Sequence, residues 1–245
     1  MTQEPFFIGW TNRLPPGMRL PVLGVAAGLV VVMLALSVLL AQGAGGGGAG
    51  NWAGDAVLRG TFTARPYPLL HLPPDAAHKQ GHTVLLSAFG KAQIPDAARH
   101  DGQAMQAAGA LIRRGDLDML AVNDPAQLQP AEGIAPPLPP VKLGRWRLSG
   151  EICDGKCAAG AMRPGSGLAH RACASLCLAG EIPPVLVSVE PVAGSVFFLL
   201  AGPDGGAVSP ALLRLTGVRL QLDGDLERQG DLLVFRADPA TVREL

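Results

Sequence analysis

The sequence predicts a mainly β protein: an N-terminal transmembrane helix followed by two tandem OB-like small β-barrel domains, the second with a Cys/His-rich helical insertion. Three observations carry this. An apolar run of membrane-spanning length lies near the N-terminus, a long stretch of sequence recurs 115 residues later, and all four cysteines fall between positions 153 and 177.

The apolar run covers residues 20–41, "LPVLGVAAGLVVVMLALSVLLA", and contains no charge. At 1.5 Å per residue it reaches about 33 Å, enough to cross a hydrocarbon layer roughly 30 Å thick. Arg13 and Arg19 precede it and no charge follows until Asp55. The positive-inside bias then places residues 1–19 in the cytoplasm and the rest of the chain outside. A cleaved signal peptide competes, with "AQG" at 41–43 as the small-residue site. The long pre-segment and the length of the run favour an uncleaved anchor. Residues 42–54, with "GAGGGGAG" at their centre, read as a flexible tether. The expected location is therefore the bacterial inner membrane, single-pass, with the C-terminal domains in the oxidising periplasm.

Beyond the tether, residues 95–117 align without gaps on 210–232, with ten of 23 positions identical. Both copies end in apolar strand, Gly-Asp, apolar strand, which reads as a tight hairpin. "VLRGTF" from Val57 resembles "RLSGEI" from Arg147 at the smaller offset of 90. "HTVLLSAFG" from His82 corresponds to "GSVFFLLAG" from Gly194, 112 residues on; each is a continuous apolar run suited to a buried strand. The second copy thus carries about 22 to 25 extra residues after its first strand, coincident with the cysteines. About five strands in each copy is the size of an OB-type barrel, with one sandwich built from both halves as the alternative. The organisation follows: a first β domain over 55–125, a Pro-rich linker over 126–142 with "IAPPLPP" as a stiff spacer, a second β domain over 143–239 with an insertion at about 153–182, and a tail over 240–245. Since the first copy lacks the inserted segment, the β scaffold is expected to fold without it.

Within the insertion a helix is expected over "LAHRACASLCLA", capped by Ser166 and ended by Gly180. His170, Cys173 and Cys177 then project from one face, spaced i, i+3 and i+7. Cys157 reaches them across a Gly- and Pro-containing loop. Cys157, His170, Cys173 and Cys177 form a candidate Cys3His metal site, and a zinc or copper ion suits thiolates with one imidazole. Cys153 is a possible additional ligand or disulfide partner. If residues 152–157 stay extended, Cys153 cannot pair with Cys157, because about 13 Å exceeds the 7 Å that a disulfide tolerates. Two structural disulfides and a redox-active dithiol stay open beside the metal reading. Met162 is a weaker soft-ligand candidate. His71, His78, His82 and His100 fall in loops or at strand ends, where lone histidines are solvated.

Lysine plus arginine equals aspartate plus glutamate at 20 each, and aromatics are 4% of the chain. Neither a basic field nor a stacking strand is available, so nucleic acid is excluded as a partner. No Gly-x-Ser-x-Gly, P-loop, HExxH or paired-carboxylate pattern occurs, so an enzyme would have to work through the cysteines and His170.

Gly150, Glu151, Asp154, Cys157, His170, Cys173, Ala174, Cys177, Gly180 and Pro183 together resemble the pattern of a group of bacterial exported or membrane-anchored proteins. That pattern is G-E-[IV]-x-D-x-x-C, then H-x-x-C-A-x-x-C, then G-x-x-P, on an OB-like domain. The resemblance covers about 40 residues closely. It implies that Cys157, His170, Cys173 and Cys177 act as one set, and Cys153 falls on a position the pattern leaves open. The periplasmic haem chaperone of cytochrome c maturation is similar in layout only, since this chain lacks its His-x-x-x-Tyr attachment pattern. The expected function is a membrane-anchored accessory or binding protein serving metal or electron-transfer proteins, with an envelope protein as partner. The alternatives are a thiol-disulfide oxidoreductase and a structural interaction protein with a disulfide-stapled insertion.

Overall fold

The computed structural model describes residues 16–43 and 48–245. Residues 1–15, with Arg13, and tether residues 44–47 lie outside the described residues. The chain forms two units, an N-terminal one and a β unit that begins at Gly45.

The first unit is helix α1, Pro16–Gly43. Proline at its first position sacrifices no intrahelical hydrogen bond, because the N–H it lacks would have had no partner there. Ser37 returns its hydroxyl to the Met33 carbonyl at 2.8 Å, so this polar group is satisfied within the helix. It is the one helix among the described residues long and apolar enough to cross a membrane.

The second unit contains two five-strand barrels of one strand order. In the first, β1 (Asn51–Thr63), β2 (Leu69–Leu72), β3 (His82–Ala88), β4 (Ala104–Arg114) and β5 (Leu117–Val122) close in the order β1-β2-β3-β5-β4-β1. A short β6 (Leu128–Pro130) pairs with β4 outside the closure. In the second, β7 (Val141–Asp154), β8 (Pro184–Val192), β9 (Ser195–Ala201), β10 (Arg219–Gln229) and β11 (Leu232–Ala237) close in the same order, with β12 (Arg243–Glu244) pairing with β10. In each barrel the third and fifth strands run parallel and the other pairings are antiparallel. Closure removes the exposed edges that open sheets present.

Matching glycines mark where the barrels bend tightly. A Cβ at Gly60 would run into the His71 carbonyl, and one at Gly150 into that of Val187. Gly109 and Gly224 stand likewise against the Ala121 and Arg236 carbonyls. No side chain fits at these four crossings, which is why the aligned stretches keep glycine there. The two-residue hairpins 115–116 and 230–231 start with Gly115 (φ 61°) and Gly230 (φ 62°), the position where a type II′ turn requires a positive φ.

The continuous apolar runs of β3 and β9 now have a physical reason. Val84 and Leu86 face the interior of the first barrel, and Phe198 and Leu200 that of the second. Leu85, Phe197 and Leu199 point the other way, into a third apolar cluster that both barrels share with Leu69, Ile112, Met119 and Val234. Both faces of each strand are buried, so alternation disappears. The Pro-rich run 134–140 joins β6 to β7 without regular structure, linking barrels that share this core.

Polar bonds register the seam. Tyr67, the single tyrosine of the chain, accepts the Val208 N–H at 3.0 Å through its hydroxyl oxygen. His82 Nδ1 lies 2.6 Å from Asp231 Oδ2 of the second barrel and its Nε2 3.0 Å from Asp118 Oδ2 of the first. Asp231 also accepts the Thr83 N–H at 2.9 Å, and Arg113 bonds Asp118 at 2.8 Å. His71 and His82 are thus buried, contrary to the expectation of solvated histidines, because the second barrel covers the ends of β2 and β3. Burial alone would lower the His82 pKa, but its bonds to Asp118 and Asp231 outweigh that and raise it to about 9.

A folded-state pKa of about 9 against an ordinary 6.5 means this stabilisation is complete below pH 6.5 and is lost as the pH rises through 9. Thermal unfolding of the full chain in detergent, followed by β-sheet circular dichroism, should show the β unit losing about 2–3 kcal/mol over that window. His82→Gln should be destabilised at pH 6.5 and should flatten the slope. An unchanged slope in that variant would mean that His82 does not carry the seam's charge.

Candidate metal centre

The connection between first and second strands is residues 64–68 in the first barrel and 155–183 in the second. The longer one holds Cys157, His170, Cys173 and Cys177. After Asp154 the chain does not stay extended. It winds into a helical turn over Cys157–Ala161, broken by Gly160 at φ 116°. A loop returns it to a 3-10 turn, Leu168–His170, that runs into helix α2 (Arg171–Ala179). The expected Ser166 cap is not used: Gly167 leads in with φ 80° and gives its N–H to Glu151 at 2.8 Å. Gly180 ends α2 as expected, and Gly165 packs directly on the Cys157 carbonyl, where a Cβ would not fit.

The turn at Cys157 is part of the core, not an ornament on it. Cys157, Ala158 and Ala159 are buried in the cluster both barrels share. The turn packs against β1, β4 and β5 of the first barrel. Arg114 donates to the Ala158 carbonyl at 3.3 Å while stacking over Phe197, 5.2 Å from the ring centroid. The expectation of a scaffold independent of this segment is corrected accordingly: one segment of the second barrel fills the seam for both.

The four sequence-predicted residues fall into two close triads that share Cys157. Ligand atoms of Cys157, His170 and Cys173 lie within 4.8 Å of one another, as do those of Asp154, Cys157 and Cys177. Cys157, Cys177 and His170 are buried, and Cys173 is half-buried. No sulfur–sulfur bond joins any of the four cysteines. Cys153 also places its Sγ within 4.8 Å of ligand atoms of Asp154 and His170. Its Sγ donates to the Gly165 carbonyl at 2.8 Å, and burial pushes its pKa up.

Asp154, fully buried, organises the group. Oδ1 accepts the Cys157 N–H at 2.9 Å, and Oδ2 lies 3.3 Å from His170 Nε2. With Nε2 turned to the carboxylate, Nδ1 is left as the ring atom free to bind, the arrangement in which a carboxylate orients a metal-binding imidazole. Cys157 and Cys177 form a hydrogen-bonded pair in which Cys157 holds its proton and the Cys177 pKa falls.

Two lysines supply positive charge. Lys156 is buried, and its ammonium caps the carbonyls of Ala88 (2.8 Å), Phe89 and Gly90 (3.0 Å) of the first barrel. Burial lowers its pKa to about 8 against the pull of the Cys177 thiolate and the Asp154 carboxylate. Lys91, from the same loop, donates to Cys173 Sγ at 2.8 Å and approaches Cys177 Sγ at 3.7 Å; the bond to Cys173 raises its pKa. Sequence reasoning found neither Lys91 nor the orienting role of Asp154. Lys91 lies 82 positions from Cys173, and no local pattern marks it.

His78, His82 and Asp231 form another close group of possible ligands. The His78 and His82 rings stack at 4.5 Å between centroids, and both His82 nitrogens are engaged by carboxylates. With both of its nitrogens engaged, His82 has no lone pair to spare for an ion, and it joins Asp118 of one barrel to Asp231 of the other. Compared with known proteins, the chain matches no family model, no curated sequence and no solved structure.

Alkylation of the reduced chain at pH 7, read by mass spectrometry, should label Cys173 first and Cys177 next, and leave Cys153 unlabelled until the protein unfolds. Lys91→Met should slow labelling of the Cys173/Cys177 pair several-fold, because thiolate is the reactive form. Early labelling of Cys153 would contradict the burial described.

Proposed function

We propose that the chain is a single-pass inner-membrane protein whose periplasmic unit, two OB-like barrels, binds one metal ion through Cys157, His170, Cys173 and Cys177. In this reading it is an accessory to metal or electron-transfer proteins of the envelope, not an enzyme. The observation that carries it is that Cys157 belongs to one close triad with His170 and Cys173 and to another with Asp154 and Cys177, while the buried Asp154 already orients Cys157 and His170. Three thiolates with one imidazole are a known closed donor set for zinc and also suit copper. The OB-like reading rests on the shared order 1-2-3-5-4-1. The difference between the 64–68 and 155–183 connections supports reading the Cys/His segment as an insertion on a repeated scaffold. Topology follows from the apolar length of α1, with Arg19 in its first turn and no charge after it until Asp55.

A second reading, a thiol-disulfide oxidoreductase, is favoured by the Cys157–Cys177 hydrogen bond beside Lys91 and Lys156, since nearby ammonium groups favour a reactive thiolate. Purification of the full chain in detergent without oxygen, followed by thiol titration and metal analysis, separates the two. The expected result is four free thiols and one metal ion per chain. Asp154→Asn should weaken metal binding by about 10- to 100-fold, the usual effect of losing a carboxylate that orients a ligand. Cys153→Ala should leave stoichiometry unchanged. Two intact disulfides without metal would overturn the binding reading in favour of a stapled interaction module. A single disulfide that thioredoxin-strength reductants open would favour the oxidoreductase.

A further inference from the structure

Resting on the metal-binding reading, we infer that the cargo is a soft monovalent cation, cuprous copper, and that Met162 with Cys173 forms the end through which it enters and leaves. Met162 Sδ lies 3.3 Å from Cys173 Sγ. Two sulfurs about 2.3 Å from one ion stand roughly 4 Å apart in trigonal geometry, so a small opening of this pair lets both hold one ion. The two are also the accessible sulfurs of the cluster. Met162 is 46% exposed and Cys173 half-buried, against 3% and 2% for Cys157 and Cys177.

A methionine packed for stability would be covered by apolar neighbours, whereas this one is held at the surface beside a thiol. Its position is fixed from both sides. Trp52 donates to the Ala161 carbonyl at 3.3 Å, and Arg163 donates to that of Gly50 at 2.8 Å. The segment carrying Met162 is therefore tied to the strand of the first barrel that borders the seam. A thioether is neutral and soft; it adds little to a zinc site that already has four better donors and is a favourable ligand for copper(I). Copper(I) also accepts a changing set of two or three sulfurs, so it can pass from Met162 and Cys173 inward to Cys177 and Cys157 by stepwise exchange. Each thiol that binds gives its proton to water, and no electron is transferred.

The test uses the full chain in detergent, reduced and anaerobic, with Met162→Ala and the near-isosteric Met162→Leu. Copper(I) is titrated against a cuprous chelator and zinc(II) against a zinc chelator. Both variants are expected to lose copper(I) affinity, or to alter the rate of handover to the chelator, by about tenfold, and to change zinc affinity by less than about twofold. X-ray absorption at the copper edge should show one sulfur fewer in the variants. Equal effects on both metals, or none on copper, would overturn this inference while leaving the binding site standing. Uptake of neither metal would overturn both readings together.

Discussion

The apolar seam between the barrels is the constraint on which the rest of the β unit depends. Each barrel has its own interior, built around Phe62, Leu86 and Met105 in one and Phe198, Leu222 and Phe235 in the other. Each also turns a second apolar face outward, and neither face is tolerable in water. Leu69, Leu85, Ile112 and Met119 meet Phe197, Leu199 and Val234 there, and Cys157, Ala158 and Ala159 fill the space between them. Removing that apolar surface from water favours docking at roughly 25 cal/mol per Å², and the polar bonds fix its register.

The chemistry of the centre is a by-product of that packing. Asp154 ends β7 where the strand leaves its barrel, and the turn it starts is pressed onto β1, β4 and β5. Lys156 and Lys91 meet the cluster from opposite sides of the seam, one capping the 88–90 carbonyls and the other donating to Cys173. Thiols that burial alone would keep protonated thus sit beside two cations. Asp154 and the four donors all come from the second barrel, and docking adds Lys91 from the first.

Much of this was legible in the sequence where the cause is local. Gly60 with Gly150, and Gly109 with Gly224, recur because a Cβ would strike a neighbouring strand in both barrels. Cys173 and Cys177 lie one helical turn apart, so their convergence follows from helix geometry alone. What escaped was the packing between the halves. His82 and Asp231 are separated by 149 positions, and Asp231 read as an ordinary turn residue. The continuous apolar runs of β3 and β9 signalled burial on both faces, without saying that each supplied the other's cover. The Cys157 turn read as dispensable because it occurs once, and a segment serving two domains need occur only once.

That single occurrence has a consequence in terms of symmetry. Two barrels of one topology packed face to face approximate a twofold dimer, in which any feature at the seam must appear twice or lie on the axis. Fusing the two into one chain lifts that requirement. One side can carry a 29-residue connection and the other a 5-residue one, so the seam holds one asymmetric centre instead of two half-sized rivals for the same space. An assembly of identical barrels could not have done this at any sequence. Covalent linkage here widens the range of sites the pair can build, quite apart from any effect on stability.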